Sequence, residues 1–436
     1  MKTLRISISH AIVLAAATTS SYCQAPAAAV PTTLTLDQAE KIAIQQNPHV
    51  QIARLIALAQ AQTKREMRAA DFPTITGNLT AVDAREDSRL TAGSLNNPIV
   101  YQRAAGGVTV SQLLTDFGHT HNLVQSADLR AQAAASDEQA SIQDIRLAVD
   151  EAFYRALANQ AVLKVAQQTV AARQTVSDQI NALAAAKLRS SLDLNFANVD
   201  LQQAKLLLLN ATNNSYQAQA ALNALLGNEK ATTYTLVDET PTAPAPAPDD
   251  AAPLLQLAFQ SRPDLASLNL QASAAKKFSQ AERDLKRPTV SALGAAGGAP
   301  VRADQIATPW YGAAGVNVSI PIFNGFLYSA REKEAVLRAQ AAEQNVQQLR
   351  QSIVRDITDT VLQAQSGFQR IDVSRQLLDQ TNSAFDLAQT RYKLGLSSIV
   401  ELSQAQLAQT QAQIEYANAR YAYQQTLAAL RFQTGK

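Results

Sequence analysis

The sequence predicts a mainly α protein with a small β part, in which long antiparallel helical hairpins and four β-strands form two copies of one plan. Three observations support this fold class. The chain repeats itself internally, two stretches of about 70 residues keep a helical pattern without proline, and segments of alternating polarity precede each stretch. With 436 residues the chain exceeds the usual size of one core, so we expect an elongated architecture or two domains.

The N-terminal segment, residues 1–29, has the layout of a secretory signal peptide. Lys2 and Arg5 precede an apolar stretch from Ala11 to Ala17, and small residues follow it. Cleavage after these residues removes Cys23, the only cysteine, and leaves a mature chain without a disulfide. In the alternative, Cys23 becomes a lipid-bearing N-terminus, although Tyr22 is bulky for the position before such a site.

An internal duplication organises the rest of the chain. The sequence LRAQAA occurs at Leu129–Ala134 and again 208 residues later at Leu337–Ala342. We therefore divide the chain into a first structural repeat at 30–227 and a second at 254–436. Residues 228–253 form a Pro-rich linker or equatorial segment, because the prolines of TPTAPAPAPDD exclude a helix there.

Alternating polar and apolar residues predict two strands in each repeat. In the first of them Thr74, Thr76 and Asn78 alternate with Ile75 and Leu79, which indicates a sheet with one polar and one apolar face. The predicted strands lie at about 74–84, 104–115, 289–297 and 309–322. Pro73 and Pro288 mark the points where the chain enters the sheet, and Gly118 and Gly325 mark its junctions with the long helices. The two segments between paired strands read as exposed loops, and Trp310 and Tyr311 suit an anchoring role at a membrane interface.

The long helical patterns run from about Gly118 to Lys187 and from about Phe326 to Leu394. Their apolar residues recur at steps of three and four, which predicts narrow stripes that pack as coiled coils. At about 1.5 Å per residue, each rod is on the order of 100 Å long.

A short break ends each long helix. In RYKLGLSSIVEL at 391–402, Gly395 is suited to positive φ and Ser398 to capping the next helix, so we predict a hairpin tip at 394–399. The equivalent tip in the first repeat is expected at 187–193, with Lys187 in the place of Gly395.

The predicted strands are too few for a closed membrane barrel in one chain. The smallest such barrels have about eight strands, and an open edge in lipid leaves backbone groups unpaired. We therefore expect protomers to pool their strands. A trimer would form a barrel of twelve transmembrane strands, continued by an α-barrel tunnel of twelve helices.

The doubled plan resembles the TolC-type outer-membrane efflux proteins, the outer membrane factor family. The resemblance rests on SQLLTDFG at Ser111–Gly118 and its counterpart SIPIFNGF at Ser319–Phe326, on the tips AKLRSSLDL and YKLGLSSIVEL, and on their order. It implies a homotrimeric channel-tunnel in outer-membrane lipid that extends into the periplasm. The family joins a periplasmic adaptor, or membrane fusion protein, to an inner-membrane pump, and performs passive transport without enzymatic chemistry or a cofactor.

The resemblance also implies a periplasmic gate. Tyr392 matches the family's gate tyrosine and Asp193 matches its acidic partner, whereas Ser397 stands where the family archetype has an arginine. Glu401 matches the first of two lumen-facing acids, and Gln404 stands in place of the second. We therefore expect one ring of carboxylates, which favours cations.

Two tip segments match those that receive the adaptor in this family. They are Leu188, Arg189, Ser190 and Ser191 in the first tip, and Leu394, Gly395, Leu396 and Ser397 in the second. Simpler roles remain open for the gate residues. Asp193 and Glu401 also suit the positive ends of helix dipoles, and Tyr392 also suits packing inside the hairpin.

Several functions are excluded or disfavoured by the sequence. A formal charge of +2 with interspersed signs gives no basic face for nucleic acid. The chain has no phosphate-binding loop, dinucleotide fingerprint or nucleophile elbow, so we predict no enzyme. Asp116, His119 and His121 resemble a metal motif, but the second repeat has Leu327 and Ser329 at the histidine positions, so we predict no metal site.

Two alternatives come from other classes of protein. A periplasmic adaptor is also built on a helical hairpin, but it should have one hairpin between β-rich halves. A structural coiled-coil protein would not explain the alternating strands or the prolines beside them.

Overall fold

The computed structural model describes residues 33–85, 102–228, 232–241, 244–301 and 308–435. The expected signal peptide at 1–29 and Cys23 lie outside these described residues, as does most of each segment expected to connect paired strands.

Helices and strands follow the same order in both halves of the chain. The first half contains β1 (Thr33–Leu34), α1 (Leu36–Gln46), α2 (Pro48–Arg68), β2 (Thr74–Val82), β3 (Arg103–Thr115), α3 (His119–Ala185) and α4 (Ser191–Leu225). The second half contains β4 (Thr235–Leu236), α5 (Ala252–Ser261), α6 (Pro263–Asp284), β5 (Thr289–Val301), β6 (Trp310–Ser319), α7 (Leu327–Lys393) and α8 (Ile399–Gln433). The structure therefore shows the internal duplication that the fold class requires.

Four antiparallel strands form one sheet in the order β2-β3-β5-β6. The central pairing of β3 with β5 joins the two repeats, with Thr109 opposite Ala295. Strands β2 and β6 form the two edges, and within the described chain each pairs on one side only. The sheet is therefore open at both ends.

Three strands end at different residues from those expected. Strand β2 ends at Val82 instead of 84. Strand β6 stops at Ser319 instead of 322, because Pro321 has no N–H to donate to a ladder. Strand β5 continues to Val301 instead of 297, so the Gly-rich segment expected to be a loop is partly strand. Gly297, the last residue of the predicted strand, lies opposite Tyr311, and a Cβ on that glycine would collide with the Tyr311 hydroxyl group and with the backbone carbonyl of Gly106. Glycine is thus needed here for the close approach of a ring.

A second, smaller sheet was not predicted. Thr33 and Leu34 of β1 pair in parallel with Thr235 and Leu236 of β4, and Leu34 is fully buried. This contact ties the start of the described chain to the segment between the repeats. Strands of two residues carry no periodicity that a sequence can reveal.

The long helices match each other in length. Helices α3 and α7 each contain 67 residues, and α4 and α8 each contain 35. Each long helix pairs with the following one as an antiparallel hairpin, on the order of 100 Å along α3 and α7. No helix in the described ranges carries an apolar stretch long enough to cross a membrane.

The buried core lies where the short helices pack on the hairpins. In the first repeat Val149 and Phe153 of α3 pack with Leu222 of α4 and with Leu34. In the second, Ile353 and Ile357 of α7 pack with Leu265 of α6. These residues follow the stripe spacing of the sequence, so burial is confined to one face of each long helix.

A charged cluster interrupts the first of these cores. Asp150 of α3 is 3% exposed, and its Oδ2 accepts a hydrogen bond of 3.0 Å from Nη2 of Arg431 on α8. One turn earlier, Arg146 pairs with Glu40 of α1 at 2.9 Å. Burial, and next the charge of Glu40, raise the pKa of Asp150 to about 7. The cluster therefore holds a carboxyl group that titrates near neutral pH.

Candidate gate and docking site at the hairpin tips

The first hairpin tip turns through a residue in the left-handed region. Lys187 has φ of 59°, and the Leu188 N–H donates back to the Leu183 carbonyl at 2.8 Å. Helix α4 then begins after Ser190, whose Oγ accepts a hydrogen bond of 3.1 Å from the Asp193 N–H. Helix α3 thus ends in a Schellman-type turn, and α4 begins at a serine cap.

The second tip has the same backbone design. Gly395 has φ of 76°, and the Leu396 N–H donates to the Arg391 carbonyl at 2.8 Å. Ser398 caps α8 by accepting a hydrogen bond of 3.3 Å from the Glu401 N–H. Asp193 and Glu401 therefore occupy equivalent positions in the first turn of their helices, where a negative charge is favourable.

Large apolar side chains project from both tips. Leu188 is 70% exposed in the first tip, and Leu394 and Leu396 are 68% and 67% exposed in the second. Leu192, one residue after Ser191, is 61% exposed. Apolar groups this exposed at the end of a rod form a surface suited to a partner.

Tyr392 lies inside the protein at the base of the second tip. Its side chain is 7% exposed and packs in a cluster with Ile180, Ala197, Ile399 and Leu402, which come from both hairpins. Its hydroxyl group is buried and has no hydrogen-bond partner within the described part of this chain. Burial, opposed by Arg189 and reinforced by Asp193, raises the pKa of Tyr392.

Arg189 joins the two tips of the protomer. Its Nη2 donates a hydrogen bond of 3.1 Å to the Tyr392 carbonyl, and its guanidinium carbon lies 4.5 Å from the centre of the Tyr392 ring. This cation–π contact places a positive charge where the sequence suggested an acidic partner. Asp193 lies near enough for its charge to raise the tyrosine pKa.

Glu401 has a partner that sequence reasoning missed. Nε of Arg391, at the end of α7, lies 3.6 Å from Oε1 of Glu401. Both side chains are nearly half exposed, so the pair is weak and screened by salt. Gln404 is exposed one turn further along α8. The expected carboxylate ring therefore has a neutralising arginine in the same hairpin.

Ser397 is half-buried in the second tip. Its Oγ is buried and has no hydrogen-bond partner among the described residues.

The four junction residues lie where the sheet meets the helices. Gly118 and Gly325 have φ of 112° and 64°, which favours glycine just before each long helix begins. Pro73 and Pro288 come directly before β2 and β5. Two consecutive residues of positive φ precede each long helix, Phe117 and Gly118 in the first repeat and Gly325 and Phe326 in the second, so a similar turn recurs with its glycine at a different position.

His119 and His121 are engaged in contacts other than metal ligation. Nδ1 of His119 lies 2.8 Å from the Ala281 carbonyl, and Nε2 of His121 lies 2.8 Å from the Gln125 side chain. The Asp116 carboxylate caps α3 by accepting a hydrogen bond of 2.7 Å from the Thr120 N–H. No cluster suited to a metal ion occurs among the described residues.

The sequence carried no signal for the contacts of Arg189 and Arg391. Arg189 and Tyr392 are 203 residues apart, so only the fold brings them together. Arg391 and Glu401 face each other across a turn whose geometry follows from the Gly395 cap. The similar sequences of the two tips were the one indication that the tips lie side by side.

Comparison with known proteins gives a consistent result. A family model described as outer membrane efflux protein matches residues 41–228 and 254–436. The solvent efflux pump outer membrane protein SrpC of Pseudomonas putida is 26% identical over 370 residues, which cover 84% of this chain and 77% of SrpC. The cobalt-zinc-cadmium resistance protein CzcC of Cupriavidus metallidurans is 27% identical over 366 residues, 80% of this chain and 78% of CzcC.

A solved structure shares the fold. The outer membrane protein VceC of Vibrio cholerae superposes with a TM-score of 0.75 at 18% identity, over 92% of this chain and 96% of VceC. At that identity the likeness establishes the fold alone. The adaptor and structural alternatives find no support in these matches.

Proposed function

Because this chain belongs to the outer membrane efflux protein family, we propose that it is the passive exit duct of a tripartite efflux or type I secretion system. The observation that carries the proposal is the doubled hairpin-and-sheet plan, with open sheet edges at one end and paired tips at the other. The duct lies in the outer membrane, and its helices extend into the periplasm. It performs no chemistry of its own.

We propose a homotrimer because the sheet is incomplete in one chain. The edge strands β2 and β6 each leave one row of N–H and C=O groups without a strand partner in the described chain. Pairing β2 of one protomer with β6 of the next closes a barrel of twelve strands in three copies. Leu79 on β2 is 93% exposed, as expected for a side chain that contacts lipid or a neighbour.

The helices also leave apolar faces for neighbours. On α2 the side chains of Ile52, Leu55 and Ile56 are 53%, 64% and 53% exposed. On α7, Val373 and Leu387 are 64% and 61% exposed. A ring of protomers would bring such faces together into a closed tunnel.

The tips are the proposed docking site for the periplasmic adaptor, which links the duct to an inner-membrane pump. Leu188 and Leu394 supply apolar anchors on adjacent tips, and the polar Ser190 and Ser191 lie at their rim. Apolar centres with polar rims are typical of protein interfaces.

The gate is proposed to lie at the same end. Tyr392 and Asp193 hold the tips of the resting duct, and Glu401 contributes a ring of three carboxylates, one from each protomer. Arg391 lowers the net charge of this ring, so its cation preference should be weaker than that of unpaired carboxylates.

We propose that the chain is divided into a signal peptide, two structural repeats and a connecting segment. Residues 1–29 would be a signal peptide, 30–227 and 254–436 the two repeats, and 228–253 the connection between them. No cargo is proposed, because relatives of similar identity are named for solvents and for metal ions.

Single-channel conductance in a planar lipid bilayer, with the oligomeric mass in detergent, tests the proposal. We expect a mass of three chains and small, cation-selective openings. A monomer without conductance would contradict both the trimer and the duct.

A further inference from the structure

A buried polar network joins the two hairpins above the tips. Nη1 of Arg173 on α3 lies 3.0 Å from Oδ2 of Asp200 on α4, so this ion pair is internal to the first hairpin. The same Asp200 oxygen accepts a hydrogen bond of 2.7 Å from Oγ of Ser403 on α8. Arg173 also donates to Oε1 of Gln406 on α8. Two side chains of the second hairpin therefore bind the ion pair of the first.

The network is largely buried, although the side chain of Asp200 is 14% exposed. Arg173 and Gln406 are 7% and 5% exposed. Burial lowers the pKa of Arg173, and the Asp200 carboxylate opposes that shift. A buried pair of this kind often contributes less to stability than apolar residues of the same size, so stability alone does not explain it.

The duplication provides an internal comparison. The positions of Arg173 and Asp200 correspond to Thr381 and Ala408 in the second repeat, and those of Ser403 and Gln406 to Asn195 and Asn198. The hairpin of the second repeat is therefore built without an ion pair at this level. The charged network is an addition to the architecture rather than a requirement of it.

Its position relates it to the gate. Ser403 and Gln406 lie in the first turns of α8, about 6 to 11 Å along the helix from its start at Ile399. Between them and the tip lies the apolar cluster that holds Tyr392. Apolar packing permits sliding, whereas hydrogen bonds to a buried ion pair fix one register.

We propose that Arg173 and Asp200 form a buried latch, which holds the second hairpin against the first through Ser403 and Gln406 and so positions the tip gate. This inference rests on the proposed duct function. The latch residues do not belong to the proposed gate. They act on it by positioning the second tip. Breaking the bonds between hairpins should free the second tip to separate from the first.

The sharpest test removes only the bonds between hairpins. The variant Ser403→Ala with Gln406→Met leaves the Arg173–Asp200 pair intact. The matched control is Gln409→Met, since Nε2 of Gln409 donates 3.0 Å to Asn382 within the second hairpin. Each variant is made in the full-length chain.

The first readout is the distance between the tips. Spin labels are placed at Leu188→Cys and Leu394→Cys in a Cys23→Ser background, and labelled protein is diluted with unlabelled protein. Double electron–electron resonance measures the distance between the labels. It should show a longer or broader distance distribution in the latch variant and the parental distribution in the control. Unchanged distributions in both variants overturn the latch.

The second readout is the fraction of time that the channel is open. The latch variant loses two hydrogen bonds between the hairpins, so we expect it to open at least about fivefold more than the parent, the change expected from one net hydrogen bond. The control should open as the parent does. Equal opening in latch variant and parent also overturns the proposal.

A third variant separates positioning from stability. Arg173→Met with Asp200→Leu replaces the buried pair with apolar groups, and its melting temperature should equal or exceed that of the parent. We nevertheless expect the tip distance to change. If no variant or parent conducts but the tip distance still responds to the latch, the duct function is contradicted and the latch is retained.

Discussion

The two hairpins share one backbone design but differ in their polar side chains. Their long arms are equal in length, and each tip turns through one residue of positive φ and restarts on a serine. The first tip uses Lys187 for that turn, and the second uses Gly395. An apolar stripe and two end signals are thus enough to specify a hairpin, which leaves other positions free to differ.

Two of the differences fall on charged residues. Glu401 corresponds to Asp193 in the first repeat, but its partner Arg391 corresponds to Leu183. The buried Arg173 of the first hairpin corresponds to Thr381 in the second. One copy therefore neutralises its tip carboxylate, and the other carries the buried ion pair. The following predictions test what each difference does.

The largest effect is expected from the apolar residues that the tips share. Leu188→Asp with Leu394→Asp should abolish adaptor-dependent efflux, because burying a carboxylate in an apolar contact is strongly unfavourable. Efflux in cells that supply the adaptor and pump measures the effect. Each single variant shows which tip contributes more to docking.

The control for docking is Leu188→Met with Leu394→Met, which keeps both side chains apolar. It should retain efflux, and the aspartate variant should retain conductance in a bilayer. Full efflux by the aspartate variant would remove the tips from the docking site.

A smaller effect is expected on ion selectivity, which should depend on one of the two tip carboxylates and not on the other. Glu401→Gln should lower the permeability ratio of K⁺ to Cl⁻ several-fold, whereas Arg391→Gln should raise it by exposing the Glu401 charge. Asp193→Asn is the comparison from the other tip and should leave the ratio nearly unchanged. Reversal potentials in a salt gradient measure all three.

Salt dependence sharpens this comparison. The Arg391–Glu401 pair is partly exposed, so about 1 M salt should reduce the difference between Arg391→Gln and the parent. If Glu401→Gln and Asp193→Asn change selectivity equally, the two tips contribute alike and the neutralising role of Arg391 is wrong.

The charged cluster at Asp150 predicts a dependence of stability on pH. Its carboxyl group has a pKa of about 7 in the folded protein and about 3.9 in an unfolded chain. The folded state therefore binds more protons between these values, and the free energy of unfolding falls as pH rises from about 4 to 7. Asp150→Asn should raise the melting temperature at pH 8 by a few degrees and change it little at pH 4.

The second repeat supplies the control for this titration. Thr358 occupies the position equivalent to Asp150, and Leu255 that of Glu40. Thr358→Val should alter the melting temperature equally at both pH values. A pH-independent effect of Asp150→Asn would show that the cluster does not titrate in this range.

The architecture was predictable because its signals are long or repeated. The spacing of 208 residues aligned the copies, and the apolar stripe marked Ile353 and Ile357 as buried. Gly395 and Ser398 predicted the second tip from the chemistry of helix ends. The stripe and the tip depend on residues close together in sequence, and the duplication is visible in the sequence itself.

The remaining features depend on distant residues. Strands β1 and β4 have two residues each and hold together residues such as Leu34 and Leu236 across the chain. The residues after Gly297 were expected to form a loop but continue β5 to Val301. A Cβ on Gly297 would collide with the ring of Tyr311 and with the Gly106 carbonyl group of β3, and neither contact can be read from the local sequence. Tyr311 thus packs over the sheet and is not explained by interfacial anchoring alone.

The smallest effect comes from the residues that turn the two tips. A left-handed conformation costs a residue with a side chain about 1–2 kcal/mol, partly offset by the flexibility that glycine adds to the unfolded chain. Lys187→Gly should therefore stabilise the first tip by about 0.5 kcal/mol, and Gly395→Ala should destabilise the second by about 1 kcal/mol.

Global melting is too coarse to detect such changes at the end of a long rod, because tips open locally. Hydrogen exchange at two amides reports them directly, since Leu188 donates to Leu183 and Leu396 donates to Arg391 across the turns. Protection of Leu188 should rise about twofold in Lys187→Gly, and protection of Leu396 should fall about fivefold in Gly395→Ala. Unchanged protection at Leu188 would mean that Lys187 adopts its conformation without strain, and that the two tips differ in sequence but not in energy.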